Sequence, residues 1–202
     1  MAELPQKKYT AQQYPNLKGL KGLSDAVLET HFKLYEGYVN RTNKLTETLQ
    51  GLQGKGEAAG TNPIYAELTR RMGFEYNGMI LHEYYFGNLK PNGTGAGPEG
   101  KLKAAIEQSF GSYENWFADF KAVATMPGIG WAIMFQNPQN GWLSNHWITL
   151  HEEGNPAGYT PVLVMDAWEH AFTPDYKANE RAKYVDAYFQ NIDWSAAESR
   201  LK

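Results

Sequence analysis

The chain has 202 residues, 42% of them hydrophobic and 14% aromatic, enough to bury a sizeable core in one large or two small domains. A net charge of −3 offers no basic face for nucleic acid, and no apolar run of about 18 residues exists to cross a membrane as a helix. With no cysteine, disulfides, thiolate metal sites and cysteine nucleophiles are excluded. The polar start, Met1 to Thr10, lacks the apolar stretch of a secretory signal, which together with the missing cysteines points to a cytoplasmic protein.

After an irregular start rich in Tyr, Pro and Gly, Ser24 predicts a helix N-cap, and Val27, Leu28, His31, Leu34, Tyr35, Tyr38 and Val39 follow at helical spacing. Gly51 to Pro63 reads as a loop, and a second helix is expected from about Ile64 to Asn88, carrying His82. Lys90 to Gly100, dense in Gly and Pro, cannot continue that helix. It divides an N-terminal helical hairpin domain, residues 1–90, from a C-terminal α+β domain, residues 91–202. That second part should hold helices at Lys101–Ser109 and from Ser112 to near Lys121. Strands at Trp131–Gln136, Trp142–Leu150 and Thr160–Met165 follow, the first two joined by a turn at Gln139-Asn140-Gly141. The end is helical, burying Tyr184, Ala187, Tyr188, Ile192 and Trp194. The fold class is α+β: an N-terminal α-helical hairpin, then an α/β domain with a three-stranded antiparallel sheet.

The chemistry concentrates in Asp166-Ala167-Trp168-Glu169-His170-Ala171-Phe172, directly after the apolar run Pro161–Met165. An Asp and a His held at the end of a buried strand can converge on one metal ion. His31 and His82 sit in the two amphipathic helical segments, so three imidazoles and one carboxylate are available. This mixed nitrogen and oxygen set suits iron, manganese or zinc.

These features resemble the iron/manganese superoxide dismutase family along nearly the whole chain. The landmarks come in order: His31 with Tyr38-Val39-Asn40, His82 within Leu81 to Leu89, Pro91-Asn92-Gly93, Ser109 to Ser112, Gly130-Trp131, and Asp166 to Phe172. Tyr176, Asn179, Arg181, Tyr184 and Asp193-Trp194 also match the family's C-terminal pattern. The resemblance implies metal ligands His31, His82, Asp166 and His170, with solvent in a fifth position, two ligands coming from each half of the chain. It implies dismutation of superoxide to oxygen and hydrogen peroxide by one iron or manganese ion per subunit cycling between +3 and +2. Zinc is redox-inert and could not perform that cycle.

Many members carry a Gln four residues before the second His ligand; that position here is Gly78. Others supply a Gln or His from the strand region, and His151, fifteen residues before Asp166, matches that place. The resemblance therefore assigns His151 to hydrogen-bond the metal's solvent and tune it, which favours iron. His146 has no such role. Tyr38 corresponds to the tyrosine that gates access and relays protons, but lies seven residues after His31 where the family has eight. Seven helical steps return to within ~20° of the start, whereas eight overshoot by ~80°. The family's spacing is eased by a π-bulge; this chain should run a straight α-helix and place Tyr35 where members often have a His.

Thr173 stands where a Tyr usually reaches across the dimer to that His, and one extra residue lies between Tyr176 and Asn179. Glu169 corresponds to the residue that bridges to the partner's equivalent of His170, so a homodimer, or a homotetramer built from it, is expected. Trp131, Trp168, Tyr85 and Phe86 match positions that enclose the metal, and Lys33 or Arg181 could steer an anion. Two rival readings are a protein of this fold without dismutase activity and a zinc hydrolase, the latter lacking an evident second carboxylate or Arg clamp for a substrate.

Overall fold

In the computed structural model, which describes residues 8–93 and 95–202, Ser24 opens helix α1 (Asp25–Gly54) as its position predicts. Its hydroxyl accepts from the Val27 amide, a cap worth about 1 kcal/mol, and Asp25 faces the positive end of the helix dipole. The helix runs to Gly54, past the expected loop boundary at Gly51, because Leu52 and Gln53 are good helix formers that carry the pattern through one glycine. It is α-helical throughout, with no π-bulge. Helix α2 (Pro63–Gly87) starts with Pro63, whose missing N–H costs nothing at that position. Asn62 caps it by accepting from the amides of Ile64 and Tyr65. The two helices are antiparallel, since His31 meets His82 near one end and Arg41 meets Glu75 farther along. Most of the polar start (Met1 to Lys7) and Thr94 of the Gly-rich linker lie outside the described residues.

Helices α3 (Gly100–Phe110) and α4 (Tyr113–Ala124) are separated by Gly111, at φ 84°, and by Ser112, whose hydroxyl caps α4. The sheet follows as β1 (Gly130–Gln136), β2 (Leu143–Thr149) and β3 (Thr160–Asp166), antiparallel in the order β2-β1-β3. The central strand β1 is buried at every residue, which explains its almost unbroken apolar sequence. Trp142, expected at the start of the second strand, lies before it and is 53% exposed. A 3-10 turn (Glu169–Ala171) leads toward α5 (Arg181–Gln190) and the short α6 (Trp194–Glu198).

Polar bonds join the halves where the site needs them. Asn88, just after α2, is fully buried; its amide donates to Val164 O at 2.7 Å and its Oδ1 accepts from Arg200. Lys21 and Asn191 exchange two bonds of 2.8 Å, backbone to side chain in both directions. The end of α2, with His82, is thereby held against β3, with Asp166.

Candidate metal centre

Four side chains reach this centre from four elements: His31 from α1, His82 from α2, Asp166 from the last residue of β3, and His170 from the 3-10 turn. Their donor atoms all lie within 4.8 Å of one another. Asp166 Oδ2 is 3.0 Å from His31 Nε2, 3.1 Å from His170 Nε2 and 3.6 Å from His82 Nε2. His31, His82 and Asp166 are buried, and His170 keeps 20% of its side chain exposed.

The protonation pattern fits a cation. Burial holds His31 and His82 below the ordinary histidine range, so both rings are neutral and each keeps one nitrogen lone pair. Burial alone would raise Asp166, but His170 and the hydrogen bonds from His170 and His31 outweigh it and keep the carboxylate ionised. His82 Nδ1 bonds the Gly78 carbonyl one turn earlier, which places its lone pair on Nε2. That Nε2 is buried with no hydrogen-bond partner among the described residues. A buried imidazole nitrogen is left unsatisfied only at a cost of about 1–3 kcal/mol, and a metal ion among these donors would remove it. The residues fit iron or manganese.

The remaining carboxylate atoms are fixed from outside. Asp166 Oδ1 accepts from the Trp168 amide at 2.8 Å, and the Asp166 carbonyl accepts from Tyr184 Oη at 2.8 Å. Trp131 pairs directly with Asp166 across β1 and β3, so both side chains project from the same face of the sheet. This register puts the indole beside the site.

His151 lies beyond the end of β2 rather than on a polar strand edge. Leu150, at φ 54°, turns the chain in the left-handed region, and Thr149 and Glu153 close the turn with two backbone bonds. His151 is thrown inward and is fully buried. Its Nδ1 is 3.0 Å from Trp131 Nε1, and its Nε2 is 2.7 Å from Tyr38 Oη. An indole N–H can only donate, so Nδ1 accepts and the neutral ring carries its proton on Nε2. Nε2–H therefore donates to Tyr38, and the phenol hydrogen is turned away from His151. Burial lowers the His151 pKa to about 4 and raises that of Tyr38 to about 12.

Residues 98–200 match the iron/manganese superoxide dismutases, C-terminal domain. The chain is 41% identical over 187 residues to an iron superoxide dismutase of Cupriavidus metallidurans, spanning 90% of each. It is 37% identical to an iron superoxide dismutase of Aquifex pyrophilus, covering 92% of this chain and 87% of that one. A manganese superoxide dismutase of Halobacterium salinarum shares 35%, over 89% and 87%. The chain belongs to the iron/manganese superoxide dismutase family.

Within this family fold, Gly78 supplies the room that Tyr38 occupies. A Cβ at Gly78 would fall 2.5 Å from Tyr38 Cδ1. Tyr35, also buried, donates its hydroxyl to Glu83 Oε1 at 2.8 Å, and no hydrogen bond joins it to the four clustered side chains among the described residues. Gln12 completes this clasp: its amide donates to Tyr35 Oη at 2.9 Å and its side chain to Glu83 Oε2 at 3.0 Å. Sequence reasoning located Tyr35 but missed Glu83, although its place next to His82 was a signal.

Trp168 stacks on His151 at 4.7 Å and bonds the Leu150 carbonyl, while Phe86 and Tyr85 lie 4.9 and 5.1 Å from the His31 ring. Arg181 is committed elsewhere, with both terminal nitrogens on the carbonyls of Met126 and Gly128. Lys33 is exposed on α1. His146 is remote, bonded to Ser144. Glu169 and Thr173 are exposed.

Proposed function

We propose that this protein dismutates superoxide to oxygen and hydrogen peroxide at a single ion held by His31, His82, Asp166 and His170, with Tyr38 and His151 as the residues that handle protons. The observation that carries the reading is the convergence of three imidazole nitrogens on one ionised carboxylate oxygen, one of them, His82 Nε2, having no hydrogen-bond partner among the described residues. Iron or manganese would supply the one-electron chemistry, taking an electron from one superoxide and returning it to the next.

The chain's own residues do the rest. Three imidazole nitrogens and the carboxylate offer four donors of low total charge. His151 Nε2–H orients Tyr38, so the phenol proton is presented to the site and not stored in the His151 bond. A proton leaving Tyr38 Oη can be supported by the N–H of His151, and general acid help of this kind typically contributes 10²–10⁴-fold. Trp131, Trp168, Tyr85 and Phe86 limit water around the donors.

Iron is favoured over manganese: a histidine occupies the position beside Tyr38, and the relatives at 41% and 37% identity are named for iron. The chain divides at residues 1–90 and 91–202, each part giving two ligands. A homodimer is supported by exposed Glu169 next to His170, whose Nδ1 has no partner among the described residues of its own chain. A cytoplasmic location is favoured by the cysteine-free composition. Among the described residues no helix is long and apolar enough to cross a membrane. Asp166→Asn and His82→Asn test the ligand set: each should lose metal and turnover together, and full metal occupancy in either variant would overturn it.

A further inference from the structure

Close to the metal centre, α2 buries a carboxylate, Glu75, only 4% exposed, and two arginines close over it. Arg71 puts two donors on one oxygen, with Nε and Nη2 at 2.9 and 2.7 Å from Oε1. Its guanidinium lies 4.0 Å over the Phe74 ring. Arg41 of α1 behaves differently. It gives only Nε to Glu75, 2.8 Å from Oε2, and neither Nη atom finds an acceptor among the described residues. Its side chain is 52% exposed.

The anchored guanidinium of Arg41 lies 4.5 Å above the centre of the Tyr38 ring. That ring is 5.3 Å from the His82 ring, so Tyr38 neighbours both the cation and an imidazole of the metal centre. Gly37, one turn earlier, makes room for it: a Cβ there would fall 2.9 Å from Nη1. Two arginines against one carboxylate leave a local positive charge on a chain whose net charge is −3. A fixed cation with a free pair of N–H groups is the arrangement that receives a small anion.

We propose that Arg41 is the residue on which the anionic substrate docks before it passes Tyr38, and that Arg71 is the anchor that keeps Glu75, and through it Arg41, in place. This assignment rests on the superoxide reading of the site. It replaces Arg181, whose terminal nitrogens are occupied by carbonyls.

The test compares Arg41→Gln, Arg41→Lys and Arg71→Gln in the metal-loaded protein. Superoxide kinetics would be recorded against ionic strength, and binding of azide, a small monovalent anion, by optical titration. Arg41→Gln should lower kcat/KM about threefold at low salt with kcat retained, and weaken azide by a similar factor. The difference should vanish toward 1 M salt, where the screening length is about 3 Å. Arg41→Lys should recover most of the loss, and Arg71→Gln should lower Tm more than it changes the salt dependence. If Arg41→Gln fails to fold because Glu75 is left underpaired, Arg41→Gln with Glu75→Gln keeps the local net charge and should still bind azide weakly. Unchanged azide affinity and kcat/KM in the Arg41 variants would overturn the proposal. A wild-type protein that binds azide in an Arg41-dependent way but turns over no superoxide would uphold the docking site and refute the dismutase reading instead.

Discussion

Replacing His151 by Gln isolates what the buried imidazole does. The ring is fully buried, accepts from Trp131 at Nδ1 and donates to Tyr38 from Nε2. Burial lowers its pKa from the ordinary 6.5 to about 4, with Asp166 opposing. The unfolded chain therefore takes up a proton below pH 6.5 that the folded protein refuses until about pH 4. The stabilising contribution is complete above pH 6.5 and is lost as pH falls through that window, at up to about 1.4 kcal/mol per pH unit. Between pH 7.5 and 4.5 the loss amounts to roughly 2.5 kcal/mol. A glutamine offers a carbonyl to Trp131 and an N–H to Tyr38 without titrating, so His151→Gln should lie within about 1 kcal/mol of wild type at pH 7.5. It should then gain roughly 2.5 kcal/mol relative to wild type by pH 4.5. His151→Ala should cost about 3–5 kcal/mol at pH 7.5, from the cavity and the stranded Trp131 N–H. Urea unfolding of the metal-free proteins at both pH values measures this, because titration of the other histidines is common to all three and cancels in the difference. Parallel acid loss in His151→Gln and wild type would refute a neutral, buried His151.

Three further perturbations have definite outcomes. Gly78→Ala should cost about 1–3 kcal/mol and slow turnover, since its Cβ can be housed only by moving the Tyr38 ring off His151; a thermal melt and an assay unchanged from wild type would show that the ring has slack. Tyr35→Phe, which unfastens Gln12 and Glu83, should lower stability by about 1–2 kcal/mol and leave turnover within about twofold, because the hydroxyl bonds Glu83 and Gln12 and none of the four clustered side chains; a shifted pH profile would instead place Tyr35 in the proton path. Saturation with iron or manganese at about 1,000 times Kd should stabilise the protein by about 4 kcal/mol, an effect that Asp166→Asn should largely abolish in differential scanning calorimetry. An equal Tm rise in that variant would mean the ion binds elsewhere.

The four residues that cluster at the candidate site, His31, His82, Asp166 and His170, were named from the family resemblance, helped by local signals in three of them: His31 and His82 sit on helical apolar stripes, and Asp166 ends an apolar strand. The helix spacing from His31 to Tyr38 likewise anticipated an uninterrupted α1. The position of His151 was readable from its distance to Asp166, but its hydrogen bonds were not. They depend on the register that sets Trp131 opposite Asp166, a pairing between strands about thirty residues apart, and on a left-handed turn at Leu150, a residue type that gives no turn signal. Glu75 was overlooked although it stands seven residues before His82 and thus on the same buried face, where a carboxylate requires partners. Those partners lie partly on the other helix, so the arginine pair and the free edge of Arg41 emerge only once α1 and α2 are packed. The end of α1 and the start of β2 shifted by a few residues, as element ends do when capping and edge exposure decide them.

Superoxide turnover of the purified protein, reconstituted separately with iron and with manganese and normalised to bound metal, decides whether the His31–His82–Asp166–His170 centre is a dismutase site. One ion per subunit is expected, and fast turnover with iron at least equal to that with manganese. Stoichiometric binding of either ion without turnover would contradict that assignment.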